Sequence, residues 1–153
     1  MTYATVLASI TPYLQAIPSI TTVIERNQTD RLVPAPDLMP AILLRDRPHA
    51  EKPLAVGYAE SEWWLDCMLW ATFTKGQDQA SFNILREQVK QTLRNHQKMG
   101  ASSADSTFGT QVIFSSTSME VHDYPARMVR GVTYRHCLIS ALVCEGVSIA
   151  GVV

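Results

Sequence analysis

Apolar positions recur along this chain with two different periods, and each change of period marks an element. In the opening segment Val6, Leu7, Ile10, Leu14 and Ile17 fall at three- and four-residue spacing, one face of an amphipathic helix that Thr2 is placed to cap. The helix is expected to end near Ala16, before Pro18. Pro12 is expected to kink or divide it, because proline lacks an amide hydrogen and its ring collides with the preceding turn. Ile20, Thr22, Val23 and Ile24 are β-branched and read as a short strand, followed by a polar connection over residues 27–30.

Period two then takes over. Pro34, Pro36 and Pro40 lead into a strand over residues 41–45, and Pro48 and Pro53 bound a polar stretch, residues 46–52, that reads as a projecting loop. From Leu54 to Phe73 the chain is strand-like: Trp63, Leu65, Cys67, Leu69, Ala71 and Phe73 share one face, and Trp64, Asp66, Met68, Trp70 and Thr72 share the other. The first face is wholly apolar and is expected in the core. The second carries two tryptophans and a methionine, too apolar for a plain solvent face, and is expected under a helix or against another subunit.

Helical spacing returns after Asp78, a natural N-cap, with Phe82, Leu85, Val89 and Leu93 as the buried stripe and Gly100 as the stop. Arg86, Lys90, Arg94 and Lys98 occupy its other faces, mostly in the later turns where cations suit the helix dipole, so they read as a solvated face. Residues 101–107 form a small-residue polar loop, and Gly109 turns the chain into a strand at residues 111–114 that residues 115–119 extend. Tyr124 and Pro125 mark a corner, and residues 127–143 read as a second long extended segment. There Val132, Tyr134, His136, Leu138 and Leu142 alternate with Gly131, Thr133, Arg135, Cys137, Ile139 and Ala141. The apolar, uncharged tail, residues 147–153, calls for a last strand position or a partner's surface.

These elements define an α+β fold: a largely antiparallel β-sheet with an N-terminal helix and one central amphipathic helix packed on it. At 153 residues the whole chain, 1–153, is expected to be a single domain. Thirteen Lys+Arg against fourteen Asp+Glu leave a formal charge of −1, so no global basic field holds a nucleic acid or an anionic membrane. Only 18% of residues are charged, which points to surface covered by copies of the chain or by a partner. Three cysteines, Cys67, Cys137 and Cys144, lack C-x-x-C spacing and suit a reducing compartment rather than a disulfide framework or structural zinc site. The first twenty residues lack a signal peptide's basic opening, and no apolar run approaches the roughly 20 residues of a membrane-spanning helix. A soluble, cytoplasmic chain is expected.

Phosphate loops, dinucleotide fingerprints, H-E-x-x-H and G-x-S-x-G motifs are absent from the sequence, an absence that does not by itself exclude catalysis. Glu120, His122 and Asp123 form the nearest metal-like trio, more simply read as a solvated strand end. His136 and Cys137, adjacent on a strand, point to opposite faces and cannot activate one another. Asp66, between apolar neighbours, is expected to pair with an arginine across the sheet, with Arg127, Arg130 and Arg135 as candidates. Trp64 and Trp70 share a face and suit a protein interface better than base stacking.

The order of elements, carried by the opening helix with Tyr13, Leu14 and Pro18, the strands at residues 40–44 and 63–73, the helix at 84–93 and the closing strand at 130–135, resembles the tail terminator proteins of tailed bacteriophages. The resemblance covers roughly residues 2–143. It implies a homohexameric ring in the tail and neck of the virion, assembled in the host cytoplasm, with no catalytic residue, cofactor or metal site. Such a ring caps the tail tube and joins it to a head-side connector or stopper, with sheath protein as a further candidate partner, and DNA passes through its channel without sequence-specific binding. Contacts are then expected from Trp64, Met68 and Trp70 on the strand face, from Arg45, Arg47 and His49 around the first loop, from Asp105 in the second, and from Arg127, Arg130 and Arg135. The proline-rich segment 33–40 and the apolar tail are not demanded by the family pattern and leave open another neck role, connector or stopper. The competing class is a small cytoplasmic enzyme or ligand-binding domain with a convergent polar site at Asp66 or His136 under the tryptophan face.

Overall fold

The computed structural model describes residues 3–25, 34–55, 58–72, 79–95 and 112–148, with side chains described for 7–25, 34–47, 63–72, 79–95 and 119–143. Helix α1 spans Tyr3–Gln15, and strands β1 (Thr22–Glu25), β2 (Ala41–Ala55) and β3 (Tyr58–Thr72) follow. After helix α2 (Gln79–Asn95) come β4 (Val112–Asp123), β5 (Arg127–Val129) and β6 (Val132–Ser148). The strands form one sheet in the order β1-β2-β3-β6-β4, with β5 also paired to β6. All described pairings are antiparallel except β1–β2. The α+β class expected from the periodicity is the class observed.

Both helices contribute to a single core on one face of the sheet. From α1 come Leu7, Ile10 and Leu14, and from α2 Phe82, Leu85, Val89 and Leu93. They meet Ile42 and Leu44 of β2, Trp63, Leu65, Cys67 and Leu69 of β3, and Cys137, Ile139, Ala141 and Val143 of β6. Each fully buried leucine or isoleucine in this set contributes about 1.5–3 kcal/mol relative to exposure. On the outside of α2, Gln79 bonds Asn83 at 2.8 Å, Gln91 bonds Asn95 at 2.9 Å, and Lys90 pairs with Glu87 at 3.1 Å. That pairing holds the Glu87 carboxyl below its ordinary value. Arg86 pairs with Asp123 of β4, so two of the helix's cations are engaged within the chain.

Four sequence expectations change. Pro12 does not divide α1, since the helix runs through it and the Ala16 amide donates to the Pro12 carbonyl at 3.0 Å. Pro12 and Ala8 both lie on the exposed side, where water reaches the carbonyl that proline leaves without its amide partner. Residues 46–52 are not a projecting loop: β2 continues through them to Ala55, paired with β3. The prolines misled because the ladder absorbs them at irregularities, its register shifting between Pro48 and Ala50 and again between Pro53 and Ala55. Leu54 and Ala55 therefore belong to β2 and not to the following strand, which begins at Tyr58.

Residues 127–143, finally, are not one extended segment. Val129 pairs with Val132 across a two-residue turn in which Arg130 (φ 50°) and Gly131 (φ 78°) both take positive φ, as tight hairpins require. Pro40 follows a cis peptide bond, and its carbonyl accepts the Thr21 amide at 2.9 Å, tying the start of β1 to the start of β2. Val147 and Ser148 end β6 opposite Ala59 and Tyr58, while residues 149–153 of the apolar tail, and the loop 101–109, lie outside the described residues.

Candidate functional site: the sheet face opposite the α-helices

Because both helices pack on one side, the alternate residues of β2, β3, β6 and β4 meet on the other. Strand register arranges them in rows. Arg45 lies opposite Asp66, Asp66 opposite Ser140, and Ser140 opposite Glu120, a polar row across four strands. On one side of it Arg47, Trp64 and Leu142 are aligned. On the other, Leu43, Met68, Leu138 and His122 are aligned, and beyond them Trp70 faces His136.

Asp66 anchors the polar row and is only 1% exposed. Its Oδ1 accepts the Ser140 hydroxyl at 2.6 Å and Arg47 Nη2 at 3.4 Å, and its Oδ2 accepts Arg47 Nε at 3.2 Å. Arg45 Nε lies 3.4 Å from the same Oδ2. A buried carboxylate needs this many donors, since ionised burial without them costs several kcal/mol. The two arginine side chains stay about half exposed, at 44% and 46%, so one carboxylate is shared by two cations at the protein surface. Arg47 also lies over the Trp64 ring, 5.2 Å from its centroid.

Further along, three rings stack in a line. His136 lies between Trp70 (centroids 4.3 Å apart) and Tyr124 (4.7 Å), nearly parallel to both, and Tyr134 meets Trp70 edge-on at 6.2 Å. Met39 and Tyr134 close over Trp70, with Leu43, Met68, Val129 and Val132 packed around them. Burial, and secondarily the Arg127 guanidinium, holds His136 below its ordinary value of 6.5, so the ring is neutral at neutral pH. Trp70 Nε1 and His136 Nδ1 have no hydrogen-bond partner among the described residues.

The structure divides the candidate contact residues. Arg45, Arg47, Trp64 and Met68 come together on this face, with the tryptophan and methionine half-buried. Trp70 is corrected: at 8% exposure it belongs to a small core of the chain's own making, because Met39 and Tyr134 cover it. Arg127 and Arg130 are exposed on the β5–β6 hairpin, away from Asp66. Arg135 is not on this face: it points to the helix side, its guanidinium 5.4 Å from the centroid of the Phe82 ring. The partners of Asp66 are thus the β2 arginines and not Arg127, Arg130 or Arg135. The side chain of His49, and Asp105 entirely, lie outside the described residues.

Ser140 and Glu120 joined this face without having been singled out for it; the alternation of β6 carried the signal for Ser140, which continues the series 134, 136, 138. Glu120 and His122 do share the face, 3.7 Å apart and well exposed, whereas Asp123 turns to Arg86 on the other side. Among the described residues no group of three His, Cys, Asp or Glu is placed to hold a metal. Burial pushes the Cys67 thiol far above its ordinary value and that of Cys137 up to about 12, so neither is a nucleophile in the folded chain. Guanidinium, indole and aliphatic groups arrayed on a rigid sheet suit recognition of another surface. No protein-family model matches the chain, and no match is found among curated proteins. No helix among the described residues is long and apolar enough to cross a membrane.

Proposed function

We propose that this chain is a ring-forming tail terminator of a tailed bacteriophage, which caps the completed tail tube and joins it to the head-side connector or stopper in the virion neck. The observation that carries this reading is the sheet face opposite α1 and α2: Trp64, Met68, Leu138 and Leu142 remain half-buried there, beside two arginines, on a sheet whose other side is filled by the chain's own core. A surface of that composition is completed by protein contact. The order of elements that carries the resemblance supports the same reading.

In this reading the protein acts by presenting one surface to its own copies and others to the tube and the neck, so that polymerisation stops where the ring binds. No residue is assigned a catalytic role. A ligand-binding site at Asp66 would have to displace Arg45, Arg47 and Ser140, which already engage both of its oxygens. The test is the mass of the purified chain by light scattering across a range of concentrations, with negative-stain images of the same sample, alone and mixed with tail tubes. A ring, or a monomer that becomes a ring on tube ends, is expected; a chain that stays monomeric and never associates with tubes overturns the reading. Binding to the neck without capping tubes assigns it instead to the connector or stopper role.

A further inference from the structure

We infer that the β5–β6 hairpin and the tyrosine ahead of it form a site for single-stranded nucleic acid, with Tyr124 stacking a base and Arg127 and Arg130 holding neighbouring phosphates. The inference stands apart from the ring reading.

The site lies within residues 119–143, whose side chains are described without a break. Every residue from His122 to Met128 is exposed, as are Arg130 and Gly131. From Tyr124 to Cys144 the sequence carries three arginines and no aspartate or glutamate. Arg45 and Arg47 share Asp66, and Arg86 pairs with Asp123; Arg127 and Arg130, by contrast, make no ion pair among the described residues. A local pair of free guanidiniums holds an anion without the global basic field that a net charge of −1 denies the chain.

Tyr124 adds a flat surface. Its ring is the outermost of the three that stack in line, 38% exposed and backed by His136 and then by buried Trp70, and no further ring lies on it among the described residues. The Tyr124 amide donates to the His136 carbonyl at 3.2 Å, which fixes the tyrosine to β6. Arg127 pairs with Tyr134 in the ladder, and Tyr134 and His136 are alternate residues of β6, so Arg127 lies on the face that carries the stack. Val129 and Val132 pack around Trp70 and Tyr134 and hold the hairpin to the sheet. Arg130 stands in the turn at φ 50°, a conformation that asparagine or glycine takes at less cost, so the turn does not call for arginine and a guanidinium is what this residue adds there.

The two chemistries together select the ligand. Guanidiniums beside an exposed ring match the alternation of phosphate and base along an unpaired strand. A duplex keeps its bases stacked and leaves the ring idle. An acidic peptide engages the arginines alone, since Met128, the exposed apolar residue between them, pairs with Thr133 and turns to the opposite face from Arg127.

The test is fluorescence anisotropy of the full chain with a labelled oligothymidylate of about 12 nucleotides, over roughly 20–200 mM salt. Two phosphate contacts predict that log affinity falls with log salt at a slope of about −1.4. Arg130→Asn, which suits the turn, is expected to keep the fold by circular dichroism and to bring the slope to about −0.7. Tyr124→Leu still covers His136 but offers no flat ring, and is expected to weaken binding about tenfold, while Tyr124→Phe binds as the wild type does. An abasic strand of the same length is expected to bind the wild type about tenfold more weakly than oligothymidylate, and to bind Tyr124→Leu as well as oligothymidylate does. No binding at the lowest salt, or Arg130→Asn and Tyr124→Leu binding as the wild type does, overturns the site. Equal binding of the abasic strand by the wild type, or displacement of oligothymidylate by polyglutamate at equal charge, assigns the hairpin to anions at large and overturns it too. Each of these outcomes leaves the ring reading standing.

Discussion

The Ser140 hydroxyl donates to the Asp66 carboxylate at 2.6 Å across the β3–β6 ladder, and this bond joins two long strands at a buried carboxylate. Around it the costs of substitution are unequal. Asp66→Asn frees two arginines that are half exposed and able to turn to water, a loss of about 1–2 kcal/mol. Arg45→Ala with Arg47→Ala strands the buried carboxylate on Ser140 alone, a loss of about 3–5 kcal/mol. Urea midpoints of the two variants should rank in that order, and the reverse order would mean that the two arginines are not what holds Asp66 in the sheet.

His136 gives a pH dependence whose sign is fixed. Its folded-state value lies below the ordinary 6.5, chiefly through burial and then through Arg127, so the unfolded chain binds the extra proton. The penalty is absent well above 6.5 and grows as pH falls through 6.5 toward the folded-state value. His136→Phe keeps a ring between Trp70 and Tyr124 but cannot protonate. Denaturation midpoints measured from pH 7.5 to 5 should fall less steeply for this variant than for the wild type.

The β5–β6 turn predicts a stabilising change. Arg130 holds φ 50°, which costs a side chain with a Cβ, and Asn adopts that region more readily. Arg130→Asn should raise stability by about 0.5 kcal/mol, while Gly131→Ala, at φ 78° with open space around the added Cβ, should lower it by about 1 kcal/mol. Thermal melts of the two variants check both signs.

Thiol chemistry reports on the core. In a Cys144→Ser background a disulfide reagent should label neither Cys67 nor Cys137 in the native chain at pH 8 and both after denaturation, because burial raises both thiols and excludes the reagent. Rapid native labelling of either would place it outside the core.

Core packing sets the scale for the helices. Leu93 is fully buried where α2 meets the sheet, and Leu93→Ala should cost about 2–5 kcal/mol. Met128, 72% exposed on β5, should tolerate alanine within about 0.5 kcal/mol. Chemical denaturation of the pair measures the contrast.

The α+β class and the core side of the long strands were legible because their signal is repeated: Leu65, Cys67 and Leu69, or Leu85, Val89 and Leu93, each restate one period. What stayed hidden depends on what lies opposite. Pro48 and Pro53 read as loop punctuation, and only pairing with β3 makes them irregularities within a strand. Arg130 and Gly131 are a turn because Val129 faces Val132, a pairing that no local pattern announces. The partner of Asp66 was likewise a question of register: the three arginines expected, Arg127, Arg130 and Arg135, are not the ones that meet it, because Arg45 lies directly across the ladder and Arg47 is the next same-face residue of β2, whereas Arg135 turns to the helices. Trp70 looked like a contact residue because its cover, Met39 and Tyr134, is far away in sequence.

The uneven outer margin of β2 also governs what happens when many copies crowd together. A smooth margin of free amides and carbonyls is a template on which strands of other chains stack without limit, the route to fibrillar precipitate. Two prolines and two register shifts within residues 48–55 break that template into pieces too short to propagate. Indiscriminate backbone-to-backbone growth along this margin is thereby starved of a surface on which to start.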